Sequence, residues 1–225
     1  MDTPKKKQKI PKNPVIDMVQ VTGHLAVRVG AKKLRRIYFK RGVNILCGPN
    51  GSGKSTTLNA VFPRSKKSKN SLAYDMDPSQ WGFDPKRIKI AGTPGCMVRR
   101  FDFEKNNPRT SGHNAFYSGN MGLWAFGRSA EMLSHGEAQK KLMAMLLNTE
   151  KDAQHCVMLL DEPEQALDFD GLALLKKSLA QVKSVQFIIA THSPSFILDP
   201  SYNVIELVEG YREKIRHALV QILAT

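Results

Sequence analysis

One nonapeptide constrains this chain more than any other stretch: Gly48, Pro49, Asn50, Gly51, Ser52, Gly53, Lys54, Ser55 and Thr56. Its first eight residues fit the pattern G-x-x-x-x-G-K-[ST]. The glycines of such a turn let successive backbone N–H groups converge on phosphate oxygens, the lysine reaches the β and γ phosphates, and the hydroxyl of Ser55 suits Mg²⁺. An apolar run, residues 43–47, precedes it with strand character, and residues 56–62 follow it with helical character. A helix starting there turns its partly positive N-terminus toward the same anion. A glycine-rich turn that binds nothing is the plain alternative, and the strand before and helix after weigh against it.

Two further apolar runs read as strands buried on both faces, the mark of a parallel sheet. Residues 156–160 end at Asp161, Glu162 and Pro163, and residues 186–190 end at Thr191, His192, Ser193 and Pro194. A helix from about 171 to 182 separates them. Strand, helix, strand and helix in this order predict an α/β P-loop fold, with a central, mostly parallel sheet flanked by helices. Ahead of the phosphate loop, residues 15–21, 25–29 and 34–40 alternate as an N-terminal antiparallel β-meander.

Residues 63–132 carry Pro63, Pro78, Pro85, Pro94 and Pro108 and only short β-like runs at 87–91 and 97–103, which predicts a short irregular or helical subdomain. Order returns at Ser134 and Glu137, spaced as a capping box ahead of Ala138, Leu142, Met145 and Leu146 at helical intervals. The tail alternates over 204–208 and closes with a helix placing Ile215, Leu219, Ile222 and Leu223 on one side. Residues 1–13, with five lysines and two prolines, read as a disordered basic tail, leaving 14–225 as a single domain.

No apolar run approaches the roughly 20 residues of a bilayer span, so a cytoplasmic protein without a membrane partner is expected. Cys47, Cys96 and Cys156 are isolated and read as small buried hydrophobes. The net charge of +14 sits at one end: residues 1–70 hold 17 Lys and Arg against 2 Asp and Glu, and the remainder 17 against 18. Lys5, Lys6, Lys7, Lys9 and Lys12 alone would be a solvated tail. The clusters Lys32, Lys33, Arg35, Arg36 and Arg64, Lys66, Lys67, Lys69 repeat the sign and favour a polyanionic partner such as nucleic acid.

At the carboxyl end of a buried strand Asp161 is placed to hold Mg²⁺ opposite Ser55. Strand alternation sends Glu162 elsewhere, as general base for an attacking water. His192, ending the neighbouring strand, can contact a γ-phosphate, and Asp168 reads either as a helix cap or as something more. Tyr38 or Phe39 can stack on a base or pack under the sheet.

In the order GPNGSGKST, LSHGEAQ, VMLLDEPEQALD and IIATHSP, the chain resembles the ATP-binding-cassette (ABC) ATPases. The resemblance covers about residues 15–210 and implies an ABC-ATPase head that hydrolyses ATP with Mg²⁺. It makes Gly48 to Thr56 the Walker A loop and Asp161 and Glu162 the Walker B pair with its catalytic glutamate. Ser134, Gly136 and Glu137 fall in the signature motif, where His135 and Glu137 depart from the usual Gly and Gln of transporters. Asp168 falls in the D-loop and His192 becomes the switch histidine. Gln80 lies in a Pro/Gly-rich stretch rather than where a Q-loop glutamine belongs.

The SHGE, DEPE and THSP forms look like the soluble RecF/SMC-like branch, which implies DNA repair or antiviral defence with a nuclease or other effector partner. By the same resemblance two copies sandwich ATP, each loop facing the other copy's signature, in a homodimer. Two other classes fit the motifs: the nucleotide-binding subunit of a membrane transporter, and a slow-turnover ATP-dependent scaffold or sensor.

Overall fold

The structure, a computed structural model, describes residues 14–22, 34–62, 88–93, 96–102, 137, 140, 156–165 and 167–224. In chain order its strands are β1 (Ile16–Thr22), β2 (Leu34–Tyr38), β3 (Val43–Cys47), β4 (Ile88–Gly92), β5 (Met97–Asp102), β6 (Cys156–Asp161), β7 (Val185–Ala190) and β8 (Asn203–Glu206). Its helices are α1 (Lys54–Val61), α2 (Phe169–Gln181), α3 (Pro194–Ile197) and α4 (Tyr211–Leu223). Five strands pair in parallel in the order β5-β6-β7-β3-β8, and three pair antiparallel in the order β2-β1-β4.

The continuous apolar runs are strands buried at every residue, as expected of a sheet covered on both sides. Because side chains alternate along a strand, Cys156, Met158 and Leu160 face one way and meet Leu175 and Leu179 of α2 and Phe196 and Ile197 of α3. Val157 and Leu159 face the other way, toward Leu58 and Val61 of α1 and Ile16, Val19 and Ile37 of the antiparallel sheet. Each such side chain contributes about 1.5–3 kcal/mol by leaving water, so a polar residue among them needs a specific reason. Gln186 has one. Fully buried in β7, it accepts from the N–H groups of Val15 and Ile16 at 2.9 and 2.7 Å and donates to the carbonyls of Ile16 and Lys40, tying the two sheets together.

The N-terminal strands pair antiparallel as the alternation predicts, but the second neighbour of β1 is β4, from within the stretch read as irregular. The run at 25–29 lies outside the described residues. Alternation marks a segment as a strand without naming its partner. Here Gly92 permits the pairing, since a Cβ there would stand 2.5 Å from the carbonyl oxygen of Val15. The β-like run at 97–103 likewise becomes β5, an edge of the parallel sheet.

Among the described residues no helix is long and apolar enough to cross a membrane. All three cysteines are buried, and burial pushes the Cys47 thiol up to about 12. The closing helix forms where the apolar spacing places it: among the described residues α4 buries none, Ile215 and Tyr211 lean on the core, and Ile222 and Leu223 are exposed.

Candidate active site

The parallel strands β6, β7 and β3 are neighbours, and their carboxyl ends bring three loops together. At β3 the chain turns through residues 48–53 into α1, whose N-cap, Gly53, has φ 95° and offers no side-chain cap. No acidic residue occupies the first turn, so its N–H groups and partial positive charge remain available to an anion. Gly48 is required by its φ of 157° and by contact: a Cβ would sit 2.5 Å from Ser52 Oγ. That hydroxyl is itself buried without a hydrogen-bond partner among the described residues, a feature that calls for a ligand atom. Lys54 Nζ curls over the loop, donating to the carbonyls of Gly48 at 2.9 Å and Pro49 at 3.2 Å. Burial lowers its pKa, and the carboxylates of Glu162 and Asp161 oppose that. Cradle, unpartnered hydroxyl and lysine together fit phosphate oxygens.

At the end of β6, Asp161 Oδ1 accepts from Ser55 Oγ at 3.2 Å and Oδ2 from Arg100 Nη2 at 3.0 Å. A hydroxyl and a carboxylate form an all-oxygen donor pair that fits Mg²⁺, an ion usually held by one or two protein oxygens plus substrate phosphates. Consistent with that economy, the described residues include no cluster of three or more His, Cys, Asp or Glu that would cage a metal alone. Sequence reasoning passed over Arg100. The available signal was a charged residue inside a short β-like run, and its partner on β6 became evident only with the register.

Glu162 is the one non-glycine residue with positive φ, 50°, among those described. Such a backbone costs about 1–3 kcal/mol and tends to mark functional turns. It is held by the Glu162 N–H donating to the carbonyl of Ala190 at 2.9 Å and by the Gln165 N–H donating back to Glu162 at 3.1 Å. The direction of its carboxylate therefore comes from this turn, and the strand alternation expected to set it ends one residue earlier. His192 Nε2 lies 3.7 Å from Glu162 Oε1. Burial, helped by the charge of Lys54, lowers the His192 pKa, and the carboxylates of Glu162 and Asp161 oppose that.

Glu164 was also missed as a site residue. Its Oε1 accepts from Thr191 Oγ1, whose oxygen accepts from the Ser193 N–H at 2.9 Å, bracketing His192. Burial raises the Glu164 pKa. Below the ordinary carboxylate range both folded and unfolded chains hold this proton. As pH rises through that range the unfolded chain ionises first, and the native state loses stability. We therefore expect Glu164→Gln to melt above the wild type at pH 8, by about 2–4 °C for each kcal/mol that ionising the buried carboxyl costs, and the gap to close toward pH 4. Thermal melts across that range check this; a gap independent of pH would contradict it.

Of the remaining expected residues, Pro49, Asn50 and Gly51 are exposed on the loop and Thr56 is half-buried in the first turn of α1. Ser134 and Gly136 lie outside the described residues, while Glu137 is helical and exposed. Asp168 does cap a helix: its Oδ1 accepts from the Gly171 N–H at 2.7 Å, and Lys140 Nζ stands 2.8 Å away. Lys140 thus joins the turn before α2. Phe39 is packed in the core and Tyr38 is 63% exposed, which leaves only Tyr38 of that pair free to stack on a ligand. Gln80 and the basic positions at 5–12, 32–33 and 64–69 lie outside the described residues; Arg36 is exposed, with its Nε donating to Gln20 at 2.9 Å.

The sequence model of the ABC transporter family matches residues 37–165. Putative ATP-binding protein YdiF of Bacillus subtilis (strain 168) is 25% identical over 173 residues, covering 75% of this chain and 26% of that protein. Zinc import ATP-binding protein ZnuC of Cereibacter sphaeroides is 28% identical over 190 residues, covering 81% of this chain and 76% of that protein. A ZnuC of Ruegeria sp. (strain TM1040) is 32% identical, covering 62% of this chain and 54% of that protein. The chain thus spans from a quarter to three quarters of these relatives. Among solved structures, UvrA2 from Deinococcus radiodurans superposes with a TM-score of 0.52 at 14% identity, covering 88% of this chain and 35% of that one. The SmcHead bound to the C-winged helix domain of ScpA gives 0.50 at 14% identity, covering 80% and 90%. Both show a shared fold.

Proposed function

The chain belongs to the ABC transporter family, and on that footing we propose an ATPase that binds ATP with Mg²⁺, hydrolyses it between two copies of itself, and thereby switches DNA or a DNA-acting partner. The observation that carries the hydrolytic reading is the meeting of Lys54, Asp161, Glu162 and His192 at the carboxyl ends of three adjacent parallel strands. Lys54 and the N–H groups of the loop grip the triphosphate. Ser55 and Asp161 would hold Mg²⁺, which when bound neutralises charge on the β- and γ-phosphate oxygens. Glu162 takes a proton from the water that attacks the γ-phosphorus, as the bond from that phosphorus to the bridging oxygen breaks and ADP leaves. His192, 3.7 Å from Glu162, can donate a hydrogen bond to the γ-phosphate. By family resemblance, Ser134, Gly136 and Glu137 of a second copy close over the nucleotide, with Asp168 nearby. ATP then holds the dimer and hydrolysis releases it.

The surplus of 15 positive charges in residues 1–70, 17 minus 2, supports a polyanion as the switched partner, and the SHGE, DEPE and THSP motif forms support the RecF/SMC-like branch and a role in repair or phage defence. If Z of those charges meet phosphates, the logarithm of the binding constant should fall with the logarithm of salt at about −0.9Z for duplex DNA. Deleting residues 1–12 removes five lysines and one aspartate, so it should weaken binding and flatten that slope while leaving ATP hydrolysis unchanged. Absence of binding to duplex or single strands at about 50 mM salt would sink the nucleic-acid reading.

A second reading has its own support: several relatives carry the name of a zinc-import ATP-binding protein. In that reading the chain is the nucleotide-binding subunit of a transporter and its basic first third serves another purpose. Purification from native membranes separates the two, since stable recovery with membrane subunits supports the transporter and recovery with nucleic acid or a nuclease supports the switch.

A further inference from the structure

We propose that Arg100 is a positioning residue that occupies one oxygen of Asp161 and so makes Mg²⁺ binding at Ser55 and Asp161 conditional on the phosphates of the nucleotide; the inference rests on the ATPase reading of this site. The side chains of Arg100 and Asp161 are only 9% and 11% exposed, and they meet at 3.0 Å. A carboxylate so enclosed requires a counter-charge, because removing either partner of a buried pair leaves an uncompensated ion. The guanidinium is not free to swing away: its Nη1 donates to Asn59 Oδ1 on α1, so it bridges α1 and the end of β6. The register makes the length of the side chain matter. Arg100 stands opposite Leu159 in the β5–β6 ladder, and the side chain must reach two residues forward to arrive at Asp161.

Two consequences follow for a metal. With Oδ2 committed to Arg100, Oδ1 is left facing Ser55, so the carboxylate is aimed before any ion arrives. The pair is also electrically neutral, and the Lys54 ammonium lies within electrostatic reach of the same carboxylate. A bare divalent cation therefore meets no net negative charge from Arg100 and Asp161, whereas one bound to a triphosphate brings its own anions. Lysine could supply the charge but not the fork that spans Asn59 and Asp161.

The test uses the full chain and Mn²⁺ as a spin-active stand-in for Mg²⁺, titrated without nucleotide and followed by electron paramagnetic resonance. Arg100→Gln should bind Mn²⁺ at least tenfold more tightly than the wild type, and Arg100→Lys, which keeps the charge, should stay within about threefold of it. Unchanged affinity in Arg100→Gln, or equal tightening in Arg100→Lys, overturns the proposal. If circular dichroism shows that Arg100→Gln does not fold, Arg100→Lys and Asn59→Ala decide. Asn59→Ala loosens the guanidinium and should tighten Mn²⁺ a few-fold, and no tightening there overturns the proposal as well. A fluorescent ATP analogue titrated into the wild type in parallel separates the failures: no binding there defeats the ATPase reading itself, whereas normal binding with unresponsive Arg100 variants defeats only this inference.

Discussion

Lys54→Ala is expected to lose ATP binding by at least about 100-fold, equivalent to about 3 kcal/mol or more. Two contributions add in the same direction. Lys54 is the loop's own cation, and the hydrogen bonds to a charged phosphate that it supplies are among the strong ones. Its Nζ also donates to the carbonyls of Gly48 and Pro49 and so holds the loop in the shape that converges its N–H groups. The ammonium is mostly buried, which lowers its pKa, but Glu162 and Asp161 oppose that shift and favour the charged form. A fluorescent ATP analogue titrated into folded variant and wild type measures the effect. Unchanged nucleotide affinity would defeat the phosphate-loop assignment, since no alternative role for this lysine predicts a loss specific to nucleotide.

The parts of this architecture that were legible in the sequence are those where one local signal has one structural answer. Residues 156–160 and 187–190 are apolar without alternation, and such runs have nowhere to go but between two layers, so the doubly covered parallel sheet could be read directly. Gly48, Gly53 and Lys54 carry their geometry in their residue types. What escaped depended on contacts between distant segments. Residues 88–92 show the same short alternation whether they end in a loop or beside β1, and only the approach of Gly92 to Val15 decides it.

Arg100 and Glu164 escaped for the same reason. Each is a charged residue whose meaning is supplied by a neighbour: Asp161, 61 positions away, and Thr191, 27 positions away. The apolar positions of α4 show the reach of periodicity alone. Their spacing is helical and the helix forms, with Ile215 packed on the core and Ile222 and Leu223 exposed, a difference that spacing does not carry.

Glu162→Gln should bind ATP as the wild type does and turn it over at least about 100-fold more slowly, because the substitution keeps the side chain's size and reach and removes only its capacity to take a proton. The turn that presents residue 162 is fixed by backbone bonds, Glu162 N–H to Ala190 and Gln165 N–H to Glu162, and neither depends on the carboxylate. Gln at φ 50° is no more strained than Glu, so the loop should keep its course and the side chain should stay beside His192, about 3.7 Å from its Nε2. A general effect on stability is therefore not expected, which melting curves can verify beside single-turnover kinetics. If hydrolysis is what opens an ATP-held dimer, the same variant must also trap it, and a sizing column run with ATP should show the mass of two chains. Wild-type turnover would remove Glu162 from the role of base. Slow turnover with only monomer on the column would retain the base and remove the dimer, leaving a cassette that hydrolyses ATP by itself.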